Sequence, residues 1–280
     1  MEYSVPALSI FFMSVSALIG FVLPLALLFY FKNKHKAGIK PFIIGCATFI
    51  IFAIILERFF HLVILNSDIG KTIQTNTWLF GIYSGLMAGL FEETGRLVAF
   101  KTVLANDLKN DRNALMYGAG HGGVEVFFIL VLGMVSNIIM SIMMNTGAVE
   151  QLKAGITDET QLQSLYKTFE LLSNTPSGNF LIGIFERIAA VAIHISLSVL
   201  VWFAAKNKGK CFWLYPLAIL LHTIVDAVAA ILAKYLSNMW IIELVIYLIT
   251  ACFILMAVQI WKKYSTNNDS VYSADPAETL

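Results

Sequence analysis

Residues 81–96 read GIYSGLMAGLFEETGR, an apolar, glycine-rich run that ends in two adjacent carboxylates and an arginine. In a helix, Glu92, Glu93 and Arg96 lie within about one and a half turns of one another. Ionisable side chains inside a membrane helix are energetically costly and usually mark a functional site. The stretch therefore predicts a membrane helix that is organised around a polar site.

The whole chain has the composition of a polytopic membrane protein. Of its 280 residues, 58% are hydrophobic and only 13% are charged, a balance that excludes an ordinary soluble domain. The net charge of +1 gives no reason to expect a nucleic-acid partner. Three cysteines (Cys46, Cys211 and Cys252) lie far apart in or beside apolar runs, without the spacing of a metal site or a disulfide framework.

Seven apolar runs are long enough to cross a bilayer, which takes about 20 helical residues. They are 7–31, 42–65, 78–104, 114–144, 179–205, 211–233 and 239–261. Alternate connections are rich in positive charge: Lys32, Lys34, Lys36 and Lys40; Lys101, Lys109 and Arg112; Lys206, Lys208 and Lys210; Lys262 and Lys263. By the positive-inside rule these connections are cytoplasmic, so the N-terminus lies outside and the C-terminus inside. We predict an all-α fold of about seven transmembrane helices in the cell membrane, forming one domain over residues 1–263.

The connection 145–178 is predicted to lie outside and to contain an amphipathic helix. Asp158 followed by Gln161 is typical of a helix start, and apolar residues then repeat at helical spacing: Leu162, Leu165, Tyr166, Phe169 and Leu172. Such a helix would lie on the outer membrane face, either as a linker on lipid or as a gate over a lateral substrate entrance. Residues 264–280 are polar and predict a disordered cytoplasmic tail.

Three glycines of the opening stretch recur at four-residue steps: Gly81, Gly85 and Gly89. This small-xxx-small pattern lets helix backbones approach closely. At about 100° per residue, Glu92 and Arg96 fall on the glycine face and Glu93 at its edge. The carboxylates are therefore expected to point at another helix. A structural ion pair would explain one glutamate and the arginine, whereas a pair of carboxylates is typical of acid–base chemistry.

Two later spans carry polar pairs at i and i+4, which share a helix face: His121 with Glu125, and His222 with Asp226. Counting about 1.5 Å per residue from the predicted cytoplasmic ends places Glu92, His121, Glu125 and His222 about 12–18 Å into the membrane. Asp226 lies one turn further out. Three spans thus contribute polar side chains at a common depth.

Polar residues also lie nearer the outer ends of two spans. They are Glu57, Arg58 and His61 in the second span, and Glu186 and Arg187 in the fifth. We interpret both groups as self-neutralised structural pairs. His194 lies deeper in the fifth span, as an extra polar group near the site without an assigned role.

The residue types restrict the chemistry. The sequence has no His-Glu-x-x-His zinc motif, no second intramembrane aspartate beside Asp226 and no glycine-rich phosphate loop. A glutamate pair that faces histidines suits a carboxylate base that activates water, with imidazole donors for the oxyanion. Two alternatives use the same residues: a proton-coupled transporter or channel that employs them as a relay, and a catalytically silent scaffold that keeps them for packing.

At these positions the chain resembles a known superfamily. Glu92-Glu93 with Arg96, Tyr117 four residues before His121, and His222-x-x-x-Asp226 resemble the three motifs of the glutamic-type intramembrane proteases. That superfamily includes the type II CAAX prenyl endopeptidases and the PrsW proteases, and the details are most similar to its YhfC-like branch. The likeness covers the third to sixth spans. The arginine comes one residue earlier than in the CAAX-peptidase pattern, a tyrosine replaces phenylalanine, and an aspartate replaces the final asparagine.

The resemblance implies an intramembrane peptidase that acts on a membrane-embedded or membrane-associated protein or peptide. Glu92 would be the general base on water and Glu93 a second acid. His121 would help to bind the water, and His222 would stabilise the tetrahedral intermediate, with Asp226 behind it.

Two supporting residues and the metal question complete the prediction. Arg96 would hold the glutamates, and Glu125 is hypothesised to contact a water or the imidazole of His121. A base-only mechanism needs no ion, so no cofactor is expected. If zinc were bound, His121, His222 and Glu92 would be its ligands.

Overall fold

The computed structural model describes residues 3–266 apart from 208 and 210, and these residues form helices and connections without any β-strand. The predicted disordered tail lies outside the described residues from position 267 onward, and so do Lys208 and Lys210 of the charge pattern. The polytopic, all-helical fold class is confirmed.

The helices are, in chain order, α1 (Ala7–Asn33), α2 (Ile39–Leu65), α3 (Asp68–Thr75), α4 (Thr77–Lys101), α5 (Arg112–Asn145), α6 (Val149–Lys153), α7 (Glu159–Asn174), α8 (Ile182–Lys206), α9 (Leu214–Tyr235) and α10 (Met239–Tyr264). Short 3₁₀ turns lie at Ala105–Lys109 and Ser177–Leu181. Within α2 and α5 the backbone widens into π-helix at Ile50–Glu57 and Phe127–Val131.

Six of these helices in the described part of the chain are long and apolar enough to cross a membrane: α1, α2, α5, α8 with its preceding 3₁₀ turn, α9 and α10. The 25-residue α4 has sufficient length, but its carboxylates and arginine lower its hydropathy. The predicted count of seven spans and the predicted orientation of the termini remain predictions.

The chain divides into two compact units, and each is assembled from separated segments. The first unit runs to Leu25 and includes Glu125–Ile188, and the second comprises Ala26–Val124 and the chain from Ala189 onward. The single domain predicted over 1–263 remains a prediction.

In the first unit, the connection 145–178 contains the helix α7. The Asp158 carboxylate caps it by accepting a hydrogen bond from the backbone N–H of Gln161 at 2.9 Å. Phe169 and Leu172 are buried in an apolar cluster with Val5 and Met13. The amphipathic face of α7 therefore packs on protein. Its place at the membrane surface, as a gate or a linker, remains a prediction.

In the second unit, α8 supplies the centre of the core. Residues 199–204 are all buried, and Trp202 contacts Phe100 edge to face at 4.9 Å between ring centroids. Phe100 also contacts Tyr117 at 4.6 Å. This core fixes α4, α5 and α8 against one another at the cytoplasmic ends that the charge pattern predicts.

Asp111 joins the connections at one end of the second unit. Its carboxylate accepts hydrogen bonds from Trp202 Nε1 (3.0 Å), Lys206 Nζ (2.6 Å) and the Thr266 backbone (3.0 Å). The first lysine-rich connection joins them through Lys40 Nζ, which lies 2.7 Å from Asp107 Oδ2, so all four lysine-rich segments meet at what we call the basic end. Burial, followed by the charges of Arg112 and Lys34, lowers the pKa of His35 at the same end. The grouping agrees with the charge pattern, and the side of the bilayer remains a prediction.

Candidate active site

The glycine face of α4 packs directly on α9. An added Cβ at Gly81 would lie 2.5 Å from Ile231 Cγ1, and one at Gly89 would lie 2.7 Å from the Ile219 carbonyl oxygen. At Gly85 it would strike the carbonyl oxygen of Thr223. The two backbones can approach this closely because neither side chain nor Cβ separates them. The packing places the side chain of His222 on α9 beside the carboxylates of α4.

A second close approach joins α5 to α8. An added Cβ at Gly118 would lie 2.6 Å from Ile195 Cα, and one at Gly122 would lie 3.3 Å from His194 Cβ. The imidazoles of His121 and His194 consequently lie 4.9 Å apart between ring centroids. Glycines on α5 thus position the two histidines in the same way as those on α4 position His222.

Glu93 has both carboxylate oxygens engaged. Oε2 accepts a hydrogen bond from Arg96 Nη1, and Oε1 lies 2.8 Å from His222 Nδ1. All three side chains are buried. A buried guanidinium needs a counter-charge, and Glu93 supplies it. Glu93 therefore holds Arg96 and His222 in place.

Glu92 faces the other two histidines. Its Oε2 lies 2.8 Å from His121 Nε2 and 3.9 Å from His194 Nδ1. The Glu92 side chain is 9% exposed, whereas that of Glu93 is fully buried. Of the two adjacent glutamates, Glu92 is thus the one that a substrate or a water can reach.

Arg96 and Asp226 extend this arrangement on either side. Arg96 Nη2 donates to His194 Nδ1 at 3.2 Å, which links the Glu93 group to the Glu92 group. Asp226 Oδ2 lies 3.4 Å from His222 Nε2, and its side chain is 40% exposed. The structure thus brings together Glu92, Glu93, Arg96, His121, His222 and Asp226, which were predicted from sequence, and adds His194.

Comparison with known proteins gives the family. Residues 18–246, which include every side chain of the site, match the family described as YhfC intramembrane metalloprotease. The chain belongs to the YhfC family. It is 36% identical over 246 residues to the uncharacterized membrane protein YhfC of Bacillus subtilis (strain 168), covering 87% of this chain and 93% of that protein. No solved structure matches. Membership of the YhfC family confirms the predicted likeness to the YhfC-like branch and supports a membrane hydrolase. The wider glutamic-type superfamily remains a prediction.

The name of the family implies a metal, which is at odds with the expectation of a site without cofactors. One donor atom from each of Glu92, His121 and His194 lies within 4.8 Å of the others. Two imidazoles and a carboxylate are a common ligand set of catalytic zinc. His121 Nδ1 is also buried without a hydrogen-bond partner among the described residues. The residues therefore fit zinc, with His194 in place of the predicted His222, whose two nitrogens face Glu93 and Asp226.

The other predicted polar residues have partners of their own. Glu125 Oε1 lies 2.5 Å from Arg187 Nη1 in the first unit, and Arg187 also pairs with Glu186 at 2.5 Å. Glu186 and Arg187, which we interpreted as a self-neutralised pair, thus form a group of three charged residues together with Glu125. The role of Glu125 as a partner of a water or of the His121 imidazole remains a prediction.

In the second span, we interpreted Glu57, Arg58 and His61 as one self-neutralised group, but the structure pairs only two of these residues with each other. Glu57 Oε1 lies 3.0 Å from His61 Nε2, and His61 Nδ1 lies 2.8 Å from the Tyr83 hydroxyl. Arg58 is exposed and forms no ion pair with the described residues. Glu57 is buried at the end of the π-helical segment, and Arg58, about 100° further round the helix, points outward.

Proposed function

We propose that this chain is an intramembrane peptidase that hydrolyses a peptide bond of a membrane-embedded or membrane-associated substrate, with a water activated at Glu92. The observation that carries the proposal is the unequal state of the two glutamates. Glu93 is fully buried between Arg96 and His222, whereas Glu92 contacts His121 and keeps a small exposed fraction. Such a pair, with a fixed carboxylate and a reactive one, is the arrangement that acid–base hydrolysis requires.

In the first step of the proposed reaction, Glu92 takes a proton from water as the water oxygen bonds to the scissile carbonyl carbon. The carbonyl π electrons move to oxygen and form an oxyanion. His222 lies between the carboxylates of Glu93 at Nδ1 and Asp226 at Nε2, and two flanking carboxylates favour an imidazolium with a proton on both nitrogens. Its Nε2–H is then the group that donates to this oxyanion. The Glu93–Arg96 pair keeps His222 from rotating away.

In the second step, the protonated Glu92 gives its proton to the departing amine nitrogen. The C–N bond then breaks, the C=O bond reforms, and Glu92 returns to its ionised state. His121 orients Glu92 through the 2.8 Å contact in both steps. When bound, zinc would be held by Glu92, His121 and His194 and would acidify a water ligand.

The substitution Glu92→Gln tests the proposal. It removes the proton acceptor but keeps the shape of the side chain, so cleavage of a transmembrane peptide in proteoliposomes should fall by at least about 100-fold. In detergent solution freed of zinc, its thermal stability should stay close to that of the parent. Glu150→Gln, at an exposed residue that pairs with Lys153, is the matched control and should cleave normally. Undiminished cleavage by Glu92→Gln would exclude the mechanism.

A further inference from the structure

Asp226 is placed where lipid cannot be its neighbour. It lies near the middle of α9, about 14 Å from the end of that helix at Tyr235, and its side chain is 40% exposed. A carboxylate that faces hydrocarbon costs several kcal/mol, so acidic residues of spanning helices face protein or a water-filled cavity. The exposed side of Asp226 is therefore hydrated.

A chain of polar side chains leads from the same depth to the end of the bundle opposite the basic end. We call it the 66–76 end, because residues 66–76 connect α2 to α4 there. Tyr83, His61 and Glu57 form consecutive hydrogen bonds of 2.8 and 3.0 Å. The side chains of His61 and Glu57 are 27% and 11% exposed.

The polar side chains lie at successive depths between the 66–76 end and Glu92. By helix rise, Tyr83 lies about 9 Å from the 66–76 end, Glu57 about 12 Å and Glu92 about 22 Å. Glu57 also interacts electrostatically with Glu92, His222 and Asp226. Polar groups thus follow one another from that end down to the site, on α2, α4 and α9.

The neighbouring face of α4 has the opposite character. Ile82, Leu86 and Leu90 are 51%, 47% and 44% exposed, and all three are aliphatic. This stripe is the lipid-facing side of the helix. One side of α4 therefore carries Tyr83 of the polar series and faces water. The other side carries Ile82, Leu86 and Leu90 and faces lipid, and we call it the dry side.

We propose that Tyr83, His61, Glu57 and Asp226 line a hydrated entrance that opens at the 66–76 end and supplies water to Glu92. The inference rests on the proposed function, because a hydrolase consumes a water molecule in each turnover and Glu92 lies within the membrane span. The π-helical segment of α2 ends at Glu57, one of the residues that line this entrance. Local π-helix frequently occurs at functional sites.

Cysteine labelling of the full chain tests the entrance without requiring turnover. The background carries Cys46→Ala, Cys211→Ala and Cys252→Ala, and single cysteines are then introduced by Asp226→Cys or Tyr83→Cys. Leu86→Cys is the matched control on the dry side of α4. Thr72→Cys and Val103→Cys mark the 66–76 end and the basic end. A membrane-impermeant maleimide is applied to each face of membrane vesicles, and membrane insertion of every variant is checked first.

We expect Asp226→Cys and Tyr83→Cys to react from the face that labels Thr72→Cys, and at least about ten-fold faster than Leu86→Cys, because the reactive thiolate does not form in hydrocarbon. Labelling only from the Val103→Cys face, or no faster than Leu86→Cys, would overturn the entrance. Tyr83→Cys keeps the test informative if Asp226→Cys fails to insert. Since no cleavage is measured, failure of the proposed hydrolysis leaves these outcomes unchanged.

Discussion

Glu92 and Glu93 leave α4 about 100° apart, and this angle gives the two neighbours different surroundings. Glu93 points into the contact with α9, where Arg96 and His222 occupy its oxygens. Glu92 points toward α5 and α8, where His121 and His194 meet it. Consecutive residues of identical type can therefore serve as a positioning group and as a base.

The substitution Glu93→Gln should destabilise the protein more than Glu92→Gln does. It leaves the buried Arg96 guanidinium without its counter-charge, and breaking a buried pair in this way costs about 3–5 kcal/mol. The midpoint of thermal aggregation in detergent measures the difference. The exposed Glu150→Gln control should match the parent protein. Equal midpoints for the two glutamate variants would contradict the division of roles.

The sequence indicated most of the side chains that surround Glu92 but gave no role to His194. Glu92, His121 and His222 stand out because each has a charged partner four residues further along the helix: Arg96, Glu125 and Asp226. His194 stands alone in an apolar helix, and its neighbours come from α4 and α5, about 70 to 100 positions away along the chain. The one indication in the sequence was the glycine pair Gly118 and Gly122, whose lack of side chains lets α8 pack closely on α5.

Zinc should stabilise the wild-type protein through Glu92, His121 and His194. Binding to the folded state alone adds about 2.7 kcal/mol when free zinc exceeds its Kd a hundredfold. The variant His194→Ala should lose most of this stabilisation, whereas Asp226→Asn should keep it because Asp226 lies outside the donor set. Melting with and without zinc, together with the zinc content of the purified protein, measures both effects. Zinc stabilisation that survives His194→Ala would remove His194 from the ligand set.

At the scale of the helices, two features position the site, and only one of them is visible in the sequence. The four-residue glycine spacing of α4 predicted a close helix contact, and α9 makes it. The π-helical segment of α2 has no compositional signature, because Ile50–Glu57 is as apolar as any spanning helix. A shift of backbone hydrogen bonds by one residue decides which side of α2 faces inward, and tertiary packing sets that shift.

The substitution Gly85→Ala should separate α4 from α9. Its methyl group would meet the carbonyl oxygen of Thr223 and lie 2.9 Å from the Ala227 nitrogen, and backbone atoms cannot move aside as a flexible side chain can. We expect a loss of about 1–3 kcal/mol and lower cleavage, since His222 moves with α9. The melting midpoint and the cleavage rate measure the two effects.

The matched control for this contact is Gly133→Ala, at a helical glycine whose added Cβ meets nothing within 4 Å. Alanine favours a helix over glycine by up to about 1 kcal/mol, so this variant should be as stable as the parent or slightly more so. Equal effects of the two substitutions would show that the α4–α9 contact does not depend on Gly85.

At the scale of the whole molecule, the distribution of charge is visible in the sequence, whereas the grouping of the helices into two units is not. The lysine-rich connections predicted to share one side do meet in the second unit, around Asp111 and Asp107. The division into two units leaves no trace in composition, because both consist of apolar helices drawn from separated segments. Local charge can be counted along a sequence, whereas the grouping of helices depends on contacts between distant segments.

Whether α4 spans the bilayer decides whether the number of membrane crossings is even or odd. The six helices that qualify by hydropathy would leave both termini on one side, and α4 as a seventh would place them on opposite sides. We expect α4 to cross, because its 25 residues suffice and its charged residues pair inside the protein. Alkaline phosphatase fused after Thr75 should therefore be active outside, and green fluorescent protein fused after Lys109 should fluoresce inside. Fusions after Lys36 and at the C-terminus should also report the inside, and two fusions flanking α4 on the same side would refute the crossing.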